Sequence, residues 1–323
     1  MGLLGLFNNC PAQAAPATDT TKVQLSSDRL ISYTFANDAF FRTDYYFTQG
    51  MSLTLVLPAL SRLPTRHVLP GPREGTLSHY GLKILYDGFT PLRIQDPDIR
   101  YGDRPYASYI YATFFHAQTS GARRWRLSSG LQLGVIGPAA GAKGFQTAVH
   151  RWLAAPTPRG WDYQVQNDLV LGYELGGERQ LLAIGSAAEV VGTAGAALST
   201  MRSYGSGGLL LRLGRFNPYF ETMTGVAAAE NRGGLRRLQL YTELRAEARA
   251  VGYDATLQGG LLNRDSPYTL PAGAVRRGVL QGAAAAVLAY QGFSVRTVAG
   301  WVSPEFAGAR HHAWGQLDVR VAF

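Results

Sequence analysis

The sequence predicts an all-β protein, an antiparallel transmembrane β-barrel of about 12 strands with a short helix in an outer loop. Three observations carry that prediction. From Arg29 onward, segment after segment alternates apolar and polar residues with a period of two. The connections switch between very short turns and long polar loops, an asymmetry expected of outer-membrane barrels. The 38 glycines, 17 tyrosines and 14 phenylalanines, with only 16% charged residues, suit tight turns, aromatic girdles and an outward apolar band. Apolar runs such as LLLRL after Gly208 or AAAAVLAY from Ala283 fall well short of the roughly 20 residues that a membrane-spanning helix needs.

Residues 1–15 combine a short apolar run with small residues around Ala12 to Ala15 and read as a truncated signal peptide. The single cysteine, Cys10, falls in that stretch, so the body of the chain has neither a disulfide nor a catalytic thiol. Residues 16–28 are a lead-in, and 29–323 form one barrel domain, since no linker rich in Pro, Ser or charge divides them. The first strand is RLISYTFAND, with Ile31, Tyr33 and Phe35 on one face. In the second, TQGMSLTLVLP, Met51, Leu53, Leu55 and Leu57 alternate with Ser52, Thr54 and Val56. Pro58, Pro64 and Pro70 break the pattern before HYGLKILYDGF and YASYIYATFFHAQ, and a TSGA turn leads into RWRLSSGLQLGVIG. The stretch 137–168 holds the one convincing helix. Pro138 suits its first turn, Phe145, Val149, Trp152 and Leu153 recur as an apolar stripe, and Gln146 and His150 share the edge of that stripe.

DYQVQNDLVLGYELG, a turn at Gly176-Gly177 and ERQLLAIGSAAEVVG follow. Segments at 203–213, 216–228, 238–252, 255–262, 275–290, 292–302 and 312–323 then bring the naive count to 14 strands. Treating 215–236 as a long inner connection and 255–273 as an outer loop gives 12 and keeps the parity. Counted from a periplasmic N-terminus, the loops at 37–47, 90–103 and 138–160 share the outer rim.

The formal charge of +9 is concentrated at Arg93, Arg100 and Arg104, at Arg123, Arg124 and Arg126, and at Arg151 and Arg159. No groove-reading motif accompanies these arginines, so no nucleic acid is expected and an anionic lipid head group is the more economical partner. Three polar clusters meet at the outer rim. Asn37, Asp38, Thr43, Asp44 and Thr48 supply oxygens suited to a hard cation such as calcium, and the same residues are also ordinary turn formers. In Gly102 to Ala107, Asp103 and Arg104 either pair with neighbours or, with Arg93 and Arg100, offer guanidinium groups to phosphate.

The third cluster is Gln146 with His150, followed by Gly160-Trp161-Asp162. An imidazole is the natural base for activating water, and a cation beside it would polarise an ester carbonyl. The alternative is that Gln146 and His150 merely edge the packing of a surface helix. His311 and His312, on the last outer loop, read as solvated loop residues. With no G-x-S-x-G and no serine close to His150 in the chain, activated water is a simpler nucleophile than serine.

These clusters, in this order, resemble the outer-membrane lipid A 3′-O-deacylase family. The resemblance runs from about Arg29 to Phe323. It rests on NDAFFRTDYYFTQG (37–50), GDRPYASYIYA (102–112), GVIGPAAGAKGFQTAVHRW (134–152), GWDYQ (160–164), VSPEF (302–306) and the closing GQLDVRVAF, which ends in Phe323. It implies a calcium-dependent hydrolase that removes the 3′-linked acyloxyacyl group from lipid A in the outer leaflet. It also implies His150 as general base, with Gln146, Asn37, Asp38 and Thr48 around it and with Asp38 and Asn37 at the metal. Where family members can carry a glutamate six residues after the histidine this chain has Pro156, and Pro158 replaces a tyrosine, so Asp162 and Glu305 are candidates for the carboxylate. The expected location is the bacterial outer membrane, with the site at the outer rim, lipid A of lipopolysaccharide as partner and a monomeric state. A non-catalytic barrel, channel or structural, and an outer-membrane phospholipase are the competing readings.

Overall fold

Strands that alternate in polarity become a two-sided wall when they close on themselves. The structure is a computed structural model and describes residues 24–41, 43, 45–223, 225, 226, 228 and 234–323. The signal-peptide reading of 1–15, with Cys10, the first part of the lead-in and the Asp44 part of the first polar cluster all lie outside the described residues. A two-residue strand β1 (Gln24–Leu25) precedes the barrel strands. These are β2 (Leu30–Asn37), β3 (Tyr46–Val56), β4 (Leu77–Thr90), β5 (Ala107–Ser120), β6 (Trp125–Ile136) and β7 (Asp168–Ile184), followed by β8 (Ala188–Ser199), β9 (Arg202–Arg215), β10 (Leu238–Asp254), β11 (Gly278–Tyr290), β12 (Phe293–Val302) and β13 (His312–Ala322).

Each barrel strand pairs antiparallel with its sequence neighbour, and β13 returns to β2 from Gly315↔Asn37 to Ala322↔Leu30. Of the 13 strands in the sheet, the 12 from β2 to β13 close the ring and leave no free edge. The remaining strand, β1, runs parallel to β4 at Leu77 and Ser78, where the pairing of β3 with β4 has already ended at Gly81.

The count of 12 follows from two segments that are not strands. Phe216 and Phe220 are buried, and the connection that carries them folds back against the lumen. Ala255–Gln258 forms a single helical turn, α2, capped by Asp254, whose carboxylate accepts from the Thr256 N–H at 2.9 Å. The expected turn at Gly176-Gly177 is corrected. Strand β7 runs through both glycines, which pair with Ser128 and Leu127 on one side and with Gly195 and Ala194 on the other. Ladders on both flanks keep them extended, and the chain reverses instead at Gly185, where φ is +55°.

The end with the short connections at 121–124, 185–187 and 291–292 is the periplasmic one. The opposite end carries the long loops at 91–106, 137–167 and 255–277. Outward along the wall stand exposed side chains such as Leu53, Ile84, Ile110, Leu133, Leu171, Leu244, Leu280 and Leu317, an apolar band that only a lipid environment makes favourable. Inward stand ion pairs: Arg126–Glu178 at 3.0 Å, Arg296–Glu243 at 2.9 Å, Arg296–Asp318 at 2.7 Å, Arg202–Asp254 at 2.8 Å, and Arg212 with Glu189. These pairs cross-link nearby strands along the inner wall.

Leu244 lies near the middle of β10 on the outward face. Leu244→Arg is expected to lower the stability of the lipid-embedded barrel by about 2–4 kcal/mol. A urea unfolding series in lipid vesicles checks this through the shift of the midpoint.

Candidate active site

Strand parity carries the first polar cluster to the outside of the barrel. Along β2, Ile31 and Tyr33 are exposed to the membrane side, whereas Thr34 and Ala36 line the lumen. Asn37, next in the outward register, closes the strand. Its Nδ2 donates to the Thr48 carbonyl at 2.7 Å, and its Oδ1 accepts from the Ala39 N–H at 2.7 Å, starting the 3-10 turn Asp38–Phe41. Asp38 is buried, and its carboxylate accepts from the Tyr45 N–H at 2.8 Å.

A bulge then aims Thr48. On β3, Phe47 packs inside against the Phe89 and Trp314 rings, and Gly50 and Ser52 line the lumen. The register slips between Phe47 and Gln49, so two residues face outward in succession where one would be expected. The amide of Gln49 accordingly donates to the Tyr86 hydroxyl at 2.8 Å, and the Thr48 hydroxyl meets the helix of the third cluster.

That helix, α1 (Ala142–Trp152), is shorter than the sequence suggests. Pro138 starts a separate 3-10 turn, Pro138–Ala140, which Gly141 ends with φ +80° before α1 begins. The helix docks by its polar edge. Gln146 is only 1% exposed, while Trp152 and Leu153 of the apolar stripe are 83% and 58% exposed. The stripe therefore faces the membrane, because next to a bilayer the apolar face of a helix need not turn toward protein.

Gln146 Nε2 donates to the Thr48 hydroxyl at 3.0 Å, and Gln146 Oε1 accepts from the indole N–H of Trp161 at 2.6 Å. Trp161 is buried against the Tyr106 ring, at 4.8 Å between centroids, and a Cβ on neighbouring Gly160 would strike that ring. The indole thus settles which end of the Gln146 amide points to Thr48, a role that the sequence signals only through GWDYQ.

One turn further on, the Nδ1 of His150 lies 2.7 Å from the Pro156 carbonyl. A carbonyl can only accept, so Nδ1 carries a proton, and in the neutral ring the lone pair is then on Nε2. Pro156, which offers no carboxylate, orients the imidazole through its backbone. Neither alternative carboxylate does so. Asp162 is exposed and paired with Lys143 at 2.5 Å, and Glu305 points into the barrel mouth.

The arginines separate. Arg104 does not reach the outer face, because its guanidinium is fully buried, paired with Glu305 at 2.7 Å, bonded to the Thr256 hydroxyl at 2.8 Å and laid over the Phe89 ring. Arg93, mostly exposed, is 3.5 Å from Asp96. Arg100 donates to Asp96 at 2.6 Å and to Asp103 at 3.1 Å, and the bond to Asp96 is the largest cause of its raised pKa. Their loop is tied to the loop of α1 where the Arg159 N–H donates to the Ile94 carbonyl at 2.8 Å. His311 is exposed as expected, but His312 is buried with its ring against Tyr46 and Trp314, since β13 begins there and turns it inward.

Asn37 and Asp38 offer amide and carboxylate oxygens, and among the described residues no cluster of three or more His, Cys, Asp or Glu exists. Amide and carboxylate oxygens of this kind belong to the donor class that calcium takes, whereas zinc favours thiolate and imidazole.

A sequence model of the family described as outer membrane protein LpxR matches residues 2–323. Among solved structures, LpxR from Salmonella typhimurium shares the fold, with a TM-score of 0.70 and 18% identity over 91% of this chain and 100% of that one. The β domain of the Bordetella autotransporter BrkA aligns at a TM-score of 0.47 and 12% identity, covering 92% of this chain and 100% of that one. No curated protein sequence matches.

Trp161→Phe removes the indole N–H and leaves the Gln146 carbonyl oxygen buried without its donor. A loss of about 1–3 kcal/mol is expected in denaturant unfolding, whereas Asp162→Asn, on an exposed pair, is expected to stay within about 0.5 kcal/mol of the parent.

Proposed function

The chain belongs to the LpxR family of outer-membrane proteins, and from that premise we propose that it is a lipid A deacylase, hydrolysing the 3′-linked acyloxyacyl ester of lipopolysaccharide with calcium. The observation that carries the reading is the orientation of the site. Asn37, Thr48 and Gln146 are hydrogen-bonded where α1 docks on the outer wall, and His150, partly exposed one turn further along that helix, stands beside an apolar belt, so an ester at the head-group level of the outer leaflet can approach the imidazole without entering the lumen. Phe145, Trp152 and Leu153, exposed along α1, give acyl chains an apolar apron.

His150 Nε2 accepts a proton from water, and the resulting hydroxide attacks the ester carbonyl carbon. The tetrahedral adduct then expels the sugar 3′-oxygen, which takes the proton back from the imidazolium, leaving a free acid and a 3′-hydroxyl. The Pro156 carbonyl holds the ring in the tautomer this requires. Thr48 accepts from Gln146 and so fixes the helix that carries His150 to the rim. Calcium, held by Asn37 and Asp38, would polarise the ester carbonyl and carry the oxyanion charge.

Mass spectrometry of lipid A from cells expressing the protein tests the proposal. The expected change is loss of one 3′-acyloxyacyl mass, with His150→Ala slowing it by about 10²–10⁴-fold and chelation of calcium suppressing it while the barrel stays folded. Full activity in His150→Ala would overturn the assignment, and deacylated glycerophospholipid with unchanged lipid A would replace it with a phospholipase.

A further inference from the structure

Pro58, Pro64 and Pro70 interrupt the strand pattern, and the connection that contains them, 57–76, lies at the periplasmic end against the outside of the wall. Gln118 holds it there. This residue pairs across β5 and β6 with Leu127, which by parity shares the outward face with the exposed Leu133. Its Oε1 accepts from the Arg73 N–H at 2.9 Å, and its Nε2 donates to the Gly71 carbonyl at 3.1 Å. The Nδ1 of His116, two residues earlier on the same face, lies 2.9 Å from the Pro70 carbonyl. Pro70 to Arg73 therefore form a fixed ridge on a surface otherwise made of strands.

Beside the ridge is a groove of ≈ 520 Å³, within the roughly 300–1,000 Å³ of small-molecule sites. Leu127, Leu175, Ala194 and Ala196 line it, with Gly177 on the same outward face, whereas nearer the outer rim the same face of β7 and β8 carries Leu171 and Leu198. The wall thus recedes next to the ridge. One rung closer to the periplasm, Arg179 pairs with Trp125 and Gly192 and by parity with Leu175 and Gly177 faces outward. Arg73 lines the groove from the ridge. Both arginines are exposed, and among the described residues no ion pair includes either. Of the carboxylates next to them in the chain, Glu178 is turned into the lumen with Arg126 at 3.0 Å, and Glu74, exposed, is in none of those ion pairs.

An apolar slot with two guanidinium groups and an indole at its periplasmic end has the polarity of a lipid standing in the periplasmic leaflet. We infer that the groove is a binding site for one glycerophospholipid, with an acyl chain laid between the ridge and strands β6 to β8 and the phosphodiester on Arg73 and Arg179. Guanidinium forks donate to phosphate oxygens in pairs, and the ridge and the wall bring one fork from either side. The leaflet decides between lipid classes: this end of the wall faces the periplasm, whereas lipopolysaccharide occupies the outer leaflet. The site lies across the membrane from the candidate active site and does not rest on its chemistry.

Native mass spectrometry of the purified barrel in nonionic detergent, titrated with palmitoyl-oleoyl-phosphatidylglycerol, tests the inference. Saturation at one lipid per barrel is expected, with diacylglycerol of the same chains and chain-free glycerophosphoglycerol each weaker by about tenfold or more. Replacing both arginines, Arg73→Gln with Arg179→Gln, is expected to bring phosphatidylglycerol down to the level of diacylglycerol, and Ala196→Leu, which fills the groove, to weaken both lipids. Because both arginines are exposed, the double variant carries the test if Ala196→Leu fails to fold. Arg215→Gln, exposed at the periplasmic end of β9 and outside the groove, is expected to bind like the parent. Absence of a saturating lipid, parental affinity in the double variant, equal weakening in Arg215→Gln, or a second barrel in the lipid's place would overturn the site.

Discussion

No water is available in the hydrocarbon region to satisfy a backbone N–H or C=O, so every strand must find a partner on both sides. In this chain that requirement is met only when β13 reaches back to β2, and the rest of the molecule follows from the closure. The wall acquires two solvents. Its outward positions are apolar because lipid is their medium, and its inward positions are free to carry charge provided that the charges neutralise one another. The candidate site uses a third option, placing polar residues on the outward face but only at the rim, where a docked helix covers them.

Much of this was legible in the sequence, because period-two alternation is a direct imprint of the wall. Ile31, Tyr33 and Phe35 announced β2, and the three polar clusters were placed on one rim by counting strands. What could not be read was anything that depends on which medium a residue meets. The stripe of Phe145, Val149, Trp152 and Leu153 was legible as an apolar helix face, but not that Trp152 and Leu153 stay exposed while the buried residue is Gln146. Gly176-Gly177 looked like a turn because glycine is a turn former in isolation, and the ladders on either side that hold it extended come from distant strands.

The same limit separates the arginines. Arg93, Arg100 and Arg104 form one basic cluster by spacing, yet the partner of Arg104 is Glu305, 201 residues away. The bulge that points Thr48 at Gln146 leaves no trace in composition, because it is a slip of register and not a residue type. Pro156 illustrates the converse. A side-chain comparison marks it as a loss of carboxylate, while its backbone carbonyl supplies the hydrogen bond that orients the imidazole, a contribution any residue type can make.

The pairing of Asn37 with Gly315 has a bearing on assembly. Phe40 packs over Gly315, where a Cβ would collide with its ring, so the first polar cluster is seated partly on the final strand of the chain. Contacts this distant in sequence form late, since the loop they close is the longest available. The candidate site is consequently a property of the finished ring. A partly inserted chain, however well its early hairpins have formed, lacks the seam on which that cluster rests.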